Sequence, residues 1–188
     1  MARRILAVLL VFVILIILVG FMLPRTVTIE RQARIDQPAE IIFAVLEDFR
    51  HFSIWSPWQD AGYRIEGRPA GVGAVLAWSD EGGSGAGRMW IVDAERPRRI
   101  DMRLELGESE SETYFLIEPD GLAQRVTWGM RVEFGTFDLT GRYIGLMLPG
   151  LIGRSYQDGL ERLAAYLSET PGRVPPLPDD VGSSEAVR

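Results

Sequence analysis

From Arg99 the sequence reads RIDMRLELG, in which Ile100, Met102, Leu104 and Leu106 alternate strictly with Arg99, Asp101, Arg103 and Glu105. Successive side chains of a strand point to opposite faces, so this is a strand with one dry face and one wet face. The alternation returns in AQRVTWGMRVE, where Val126, Trp128, Met130 and Val132 oppose Arg125, Thr127, Arg131 and Glu133. Between the two, ETYFLIE and the turn Pro119-Asp120-Gly121 complete a hairpin. An antiparallel sheet wet on one face must cover the other. The only long amphipathic element left to do so begins near Leu151, where Ile152, Tyr156, Leu160, Leu163 and Leu167 form a helical stripe opposite Gln157, Asp158, Glu161 and Arg162. The sheet must therefore wrap that helix.

Upstream, Val27, Ile29, Ala33 and Ile35 share one strand face against Thr28, Glu30, Gln32 and Arg34, with Arg31 alone breaking the apolar side. Asp36-Gln37-Pro38 ends that strand, and Ile41, Ile42, Val45, Leu46 and Phe49 then recur at helical spacing behind a proline suited to a first helical position. After HFSIWSPWQD, glycines at 62, 67, 71 and 73 punctuate short strands such as AVLAW (74–78) and RMWIV (88–92). The order predicts an α+β domain: a curved antiparallel sheet of about seven strands around a long C-terminal helix.

Residues 5–23 carry no charged side chain and as a helix span about 28 Å, close to a bilayer's hydrocarbon core. The run exceeds a signal peptide's apolar region, and no small-x-small cleavage site precedes Pro24-Arg25, so it reads as one N-terminal transmembrane helix. Arg3 and Arg4 on a very short tail favour a cytoplasmic N-terminus, placing the domain on the periplasmic side of the inner membrane. The end from Thr170, TPGRVPPLPDDVGSSEAVR, has no apolar period and reads as a disordered Pro-rich tail. The expected organisation is thus an anchor over 1–24, a domain over 25–169 and a tail over 170–188.

Composition removes several chemistries. The 188 residues hold 26 acids against 20 bases, for a net charge of −6, which disfavours nucleic acid as a partner. Every base is arginine, so lysine-dependent catalysis and a P-loop are excluded. With no cysteine and only His51, thiol catalysis, disulfides and a multi-histidine metal site are excluded too, and no cofactor is expected.

The element order, with Ile35-Asp36-Gln37-Pro38 before the first helix, Trp55-Ser56-Pro57-Trp58 after it, Gly71-Val72-Gly73, Trp78, Gly85 to Trp90, Val126-Thr127-Trp128, and Gly159-Leu160 with Leu163 in the closing helix, resembles the START/Bet v 1-like helix-grip (SRPBCC) superfamily. The likeness covers about residues 26–168 and is greatest to the polyketide cyclase/dehydrase and lipid-transport branch, in a bacterial subgroup often carrying an N-terminal membrane segment. It implies an apolar cavity between sheet and helix that in relatives holds lipids, sterols, polyketides or plant hormones. Pro149 departs from the pattern and puts the start of the last helix in question.

The candidate ligand-cavity residues are Trp55, Trp58, Trp78, Met102, Leu104, Phe115, Trp128, Met130, Tyr156 and Leu160, a large aromatic set with adaptable methionines. A filled core would show the same set. Pro57 stiffens the turn between Trp55 and Trp58, which either plug one end of the grip or line the cavity mouth. His51 with Asp48 is a weak general-base pair and is expected at the surface or in a cap. Gly82, Gly83, Gly85 and Gly87 lead into a strand, not a helix, and read as a hairpin turn. Arg96, Arg98 and Arg99 form a basic run near Pro97, readable as a solvated turn or as a contact for anionic headgroups. Arg31, Tyr114 and Tyr156 are the inward polar groups a cyclase would need, yet spacing pairs none of them. The readings left open are a membrane-tethered binder of a hydrophobic small molecule or lipid, a cyclase or isomerase, and an interaction domain with a filled core.

Overall fold

A computed structural model of the chain describes residues 2–59, 62–79, 85–107 and 109–177. It consists of helix α1 (Ala2–Met22), strand β1 (Thr26–Ile35), helices α2 (Ala39–Leu46) and α3 (Phe49–Trp55), six strands, helix α4 (Leu139–Gly145) and helix α5 (Leu148–Ser168). The strands are β2 (Tyr63–Glu66), β3 (Val75–Trp78), β4 (Gly87–Glu95), β5 (Arg99–Leu106), β6 (Ser109–Asp120) and β7 (Ala123–Glu133). They form one seven-stranded sheet in the order β1-β7-β6-β5-β4-β3-β2, every neighbouring pair antiparallel. This is the α+β helix-grip architecture expected from the alternation.

Because β1 and β2 lie at opposite edges, α2 and α3 must cross the dry face to connect them, and they share it with α5. Ile29, Ile35, Phe43, Phe49, Ile100 and Leu163 are among the side chains this buries. The stripe of α5 is as read, with Tyr156, Leu160, Leu163 and Leu167 buried. Burying each such side chain is worth about 1.5–3 kcal/mol, which binds the helix far more firmly than its own propensity.

Several details differ from the sequence reading. Pro149 does not interrupt the last helix; it occupies the first turn, where its missing N–H has no partner to lose. The β6–β7 turn is two residues, Gly121 and Leu122, so Pro119 lies inside β6 opposite Gln124. Gly121 takes φ 68°, as so short a turn requires. Helix α4, LTGRYIG, carries no apolar period in its sequence.

Of the segment read as a tail, residues 178–188 lie outside the described residues. Residues 170–177 are tied down in part. Gln37 donates through Nε2 to the Leu167 carbonyl at 2.7 Å and accepts through Oε1 from the Gly172 N–H at 2.8 Å, and Pro175 is buried.

Candidate functional site

The segment HFSIWSPW builds one wall of the interior. Asp48 opens α3 by accepting the Arg50 N–H at 3.0 Å, and Ser56 ends it with ψ 143°, the extended geometry forced on a residue before proline. Ser56 Oγ accepts the Trp58 N–H at 3.1 Å and lies 3.0 Å from the Tyr63 hydroxyl. The stiff turn sends the two indoles apart. Trp55, 1% exposed, enters the core against Phe52, Phe115 and Trp128. Trp58 is half-buried and stands nearly perpendicular to Trp128 and Tyr156, with centroids 6.0 and 6.2 Å away. Trp55 thus takes the plugging position, and Trp58 the lining one.

Helix α5 reaches this turn because position 159 is glycine. A Cβ there would sit 2.7 Å from Trp128 Cζ3 and 3.0 Å from Pro57 Cδ, too close for any other residue without displacement. Arg31, the one polar residue on the dry face of β1, lies under the first turn of α5 and donates to the carbonyls of Glu30 at 2.6 Å and Pro149 at 3.2 Å. It is bound to backbone and does not line the cavity.

Between the N-terminal half of α5, Trp58 and the sheet lies a cavity of about 170 Å³. Of the ten residues expected there, Trp58, Trp78, Leu104, Trp128, Met130 and Tyr156 line it. Trp55, Met102, Phe115 and Leu160 do not; all four are packed in the solid core. Met102 pairs with Thr113 and Phe115 with Ile100, so each stands two residues deeper along its strand than the lining residues Leu104 and Thr113, and Trp55 packs on Phe115. Leu160 is one helical turn beyond Tyr156. Phe52, Tyr63, Met89, Leu106, Thr113 and Ile152 complete the lining. Alternation points to Met89 and Leu106, and the α5 stripe to Ile152. Nothing local marked Thr113, a polar residue on a dry face opposite Met130.

Leu106 is exposed, while Trp58, Trp78, Leu104 and Ile152 are half-buried, so these residues form the mouth. Thr113, Trp128, Met130 and Tyr156 form the buried floor. Thr113 Oγ1 donates to the Gly129 carbonyl at 2.9 Å and accepts from Trp128 Nε1 at 3.3 Å. The Tyr156 hydroxyl has only a 3.5 Å contact to the same oxygen, at the limit of a hydrogen bond. Burial pushes the hydroxyls of Tyr156 and Tyr63 up to about 12, so both remain neutral donors near pH 7. The described lining holds no carboxylate, histidine or arginine. Among the described residues no group of three His, Cys, Asp or Glu is placed to hold a metal.

The other candidates lie elsewhere. His51 is buried, not at the surface; its Nδ1 is 2.7 Å from the Tyr166 hydroxyl, while Asp48 is occupied by Arg50. Tyr114 is on the outer face over Gly129, donating to Glu30. Arg96 pairs with Glu47 and lies over Phe43, and Arg99 grips Asp101 with two 2.6 Å bonds, so these two arginines of the basic run are already paired. Gly82 and Gly83 fall outside the described residues.

A family model described as polyketide cyclase / dehydrase and lipid transport matches residues 26–168. Among solved structures, a protein from Chromobacterium violaceum is similar at 15% identity and TM-score 0.54, covering 74% of this chain and 96% of its own. A Mesorhizobium loti protein is similar at 17% identity and TM-score 0.55, covering 78% and 98%. DynU16, a protein of the dynemicin biosynthetic locus, is similar at 16% identity and TM-score 0.55; the match covers 78% of this chain and 49% of DynU16. At these identities the likeness shows the fold. A search of curated proteins found no match.

Proposed function

Because the chain belongs to the polyketide cyclase/dehydrase and lipid transport family, we propose that it is a membrane-tethered binding protein for a small hydrophobic molecule of lipid-like or polyketide-like chemistry. The observation that carries this is the lining itself, apolar throughout except for the hydroxyls of Tyr63, Thr113 and Tyr156 and the indole N–H groups. A site of this kind captures its ligand by removing apolar surface from water, at about 25 cal/mol per Å². The reading is one of binding without turnover, since no described lining residue offers an acid or base that titrates near neutrality.

Size narrows the ligand. An apolar cavity of about 150 Å³ accommodates benzene, so the 170 Å³ here suits one ring or a short branched chain. A longer lipid or a fused polycycle would have to move Trp58 or Ile152. The Tyr156 hydroxyl, with its single long contact, is the donor for one ligand oxygen.

The tether is α1, whose residues Arg3–Met22 are long and apolar enough to cross a bilayer. With Arg3 and Arg4 on the cytoplasmic side, the domain over 25–169 lies on the periplasmic side of the inner membrane.

The test is native mass spectrometry of the full chain released from lipid nanodiscs after incubation with toluene, naphthalene, a tetracyclic polyketide or palmitate. Retention of toluene in preference to the larger compounds, abolished in a Met130→Trp variant that fills the floor, is the expected outcome. Absence of any adduct, or equal retention by the filled variant, would refute the reading.

A further inference from the structure

The junction between α1 and the rest of the chain is not a loose linker. The last carbonyls of a helix have no partner in the next turn, and inside or beside a bilayer no water reliably supplies one. Arg142 of α4 supplies it. Its buried guanidinium donates to the carbonyls of Gly20 at 3.5 Å, Phe21 at 3.3 Å and Leu23 at 3.4 Å, and also to Thr136 at 2.7 Å and Gly135 at 3.3 Å. One level higher, the Tyr143 hydroxyl donates to the Ile16 carbonyl at 2.6 Å. Gly20 permits the approach, since a Cβ there would be 3.1 Å from the Tyr143 ring. Phe21 meets Phe137 edge-on at 6.3 Å.

These contacts fix the depth of α4. Ile16 precedes Met22 by six residues, or about 9 Å of helix. Helix α4 therefore lies alongside the last turns of α1, within the 5–10 Å depth to which interfacial helices sink. The outward surface beside it is apolar: Phe137, Ile144, Leu146, Met147 and Leu151 are 83, 52, 57, 63 and 63% exposed. A water-facing edge of that composition would be costly, and here it is continuous with the apolar helix.

We infer that residues 137–151 are an interfacial docking surface for the same bilayer that holds α1, seating the domain directly on the lipid. This rests on α1 being a membrane tether. The sheet register gives it a consequence. Thr28 faces Arg131, Arg131 faces Glu112 and Glu112 faces Arg103, so the end of β5 that carries Leu104 and Leu106 is the end at which β1 leaves α1. The cavity mouth thus opens at the membrane-proximal end, and Ile152 adjoins the docking surface. The arginines at 96–99 lie at the opposite end, at the β4–β5 turn, so they take no part in docking, which rests on the apolar side chains.

The absence of cysteine makes single-cysteine reporters clean. Full-length Met147→Cys, Leu151→Cys, Leu122→Cys and Phe12→Cys variants carry an environment-sensitive fluorophore in phosphatidylcholine vesicles doped with nitroxide-labelled lipid. Met147, Leu151 and Leu122 are exposed, the last 97% so and in the distal β6–β7 turn, which makes the substitutions tolerable and Leu122 the aqueous control. The expected result is quenching at Met147 and Leu151 severalfold above Leu122, with Phe12 strongly quenched. If Phe12 is quenched but Met147 and Leu151 match Leu122, the docking surface is overturned and the tether stands. If Phe12 is also unquenched, the tether fails and the docking surface with it.

Discussion

Tyr156 lies flat on Trp128, with ring centroids 4.0 Å apart and planes inclined by 10°. The stack joins α5 to the centre of the sheet and forms the cavity floor, leaving the phenol edge in an apolar wall. A tyrosine titrates near pH 10 when unfolded, and burial moves Tyr156 up to about 12. Between those values the unfolded chain has lost a proton that the native chain still holds, so stability falls as pH rises from 10 to 12, by about 2–3 kcal/mol for this residue. Tyr156→Phe keeps the stack and gives up one 3.5 Å contact. It should therefore cost less than about 1 kcal/mol at pH 7, while losing less stability than the native chain between pH 9 and 11.5. Chemical denaturation across that range checks this, and parallel pH slopes for the two proteins would refute it.

Trp55 and Trp58 separate packing from lining. Trp55→Ala removes a fully buried indole and should cost about 3–5 kcal/mol. Trp58→Ala removes a half-buried one and should cost clearly less, while opening the cavity mouth and weakening retention of a one-ring ligand. Melting temperatures and adduct retention measured together decide it. Equal destabilisation by the two changes would mean that both act as plugs.

The architecture was legible because period-two alternation in 99–106 and 123–133 and the helical stripe from Ile152 to Leu167 each leave a single way to bury apolar surface. The depth of the cavity was not. Leu104 and Met102 share a strand face and an apolar character, but Leu104 is half-buried and lines the cavity while Met102, one pair deeper and opposite Thr113, is core, a difference set by what covers each and not by the alternation. Helix α4 was invisible for a related reason: LTGRYIG is stabilised by what it docks on, with Arg142 serving the carbonyls of α1, and such a partner leaves no local periodicity. Thr113 stayed hidden because its function as a hydrogen-bond hub depends on Trp128 and Gly129 across the β6–β7 pair.

Two glycines of α5 should respond oppositely to alanine. At Gly150 nothing lies within 4 Å of an added Cβ, so Gly150→Ala should stabilise by up to about 1 kcal/mol through helix propensity. At Gly159 the same gain is set against contacts of 2.7 Å to Trp128 and 3.0 Å to Pro57, two rigid rings. Overpacking of that kind costs about 1–3 kcal/mol, so Gly159→Ala should be net destabilising and should shift the tryptophan emission. A stabilised Gly159→Ala protein would show that α5 is free to slide away from the WSPW turn.

His51 should make the protein acid-sensitive. Burial lowers its pKa below the ordinary 6.5, an effect that Asp48 offsets in part and Arg50 reinforces. The native state thus holds neutral imidazole against the Tyr166 hydroxyl, while the unfolded chain takes up a proton below about pH 6.5. With more protons bound to the unfolded state, stability falls as pH drops from 6.5 towards the folded-state pKa. His51→Asn retains a group able to meet Tyr166 but cannot titrate. It should cost about 1–2 kcal/mol at pH 7.5 for lost ring packing, and its disadvantage should shrink at pH 5. Urea midpoints at the two pH values give the comparison; a constant gap between variant and native protein would show that His51 carries its proton in the folded state as readily as in the unfolded one.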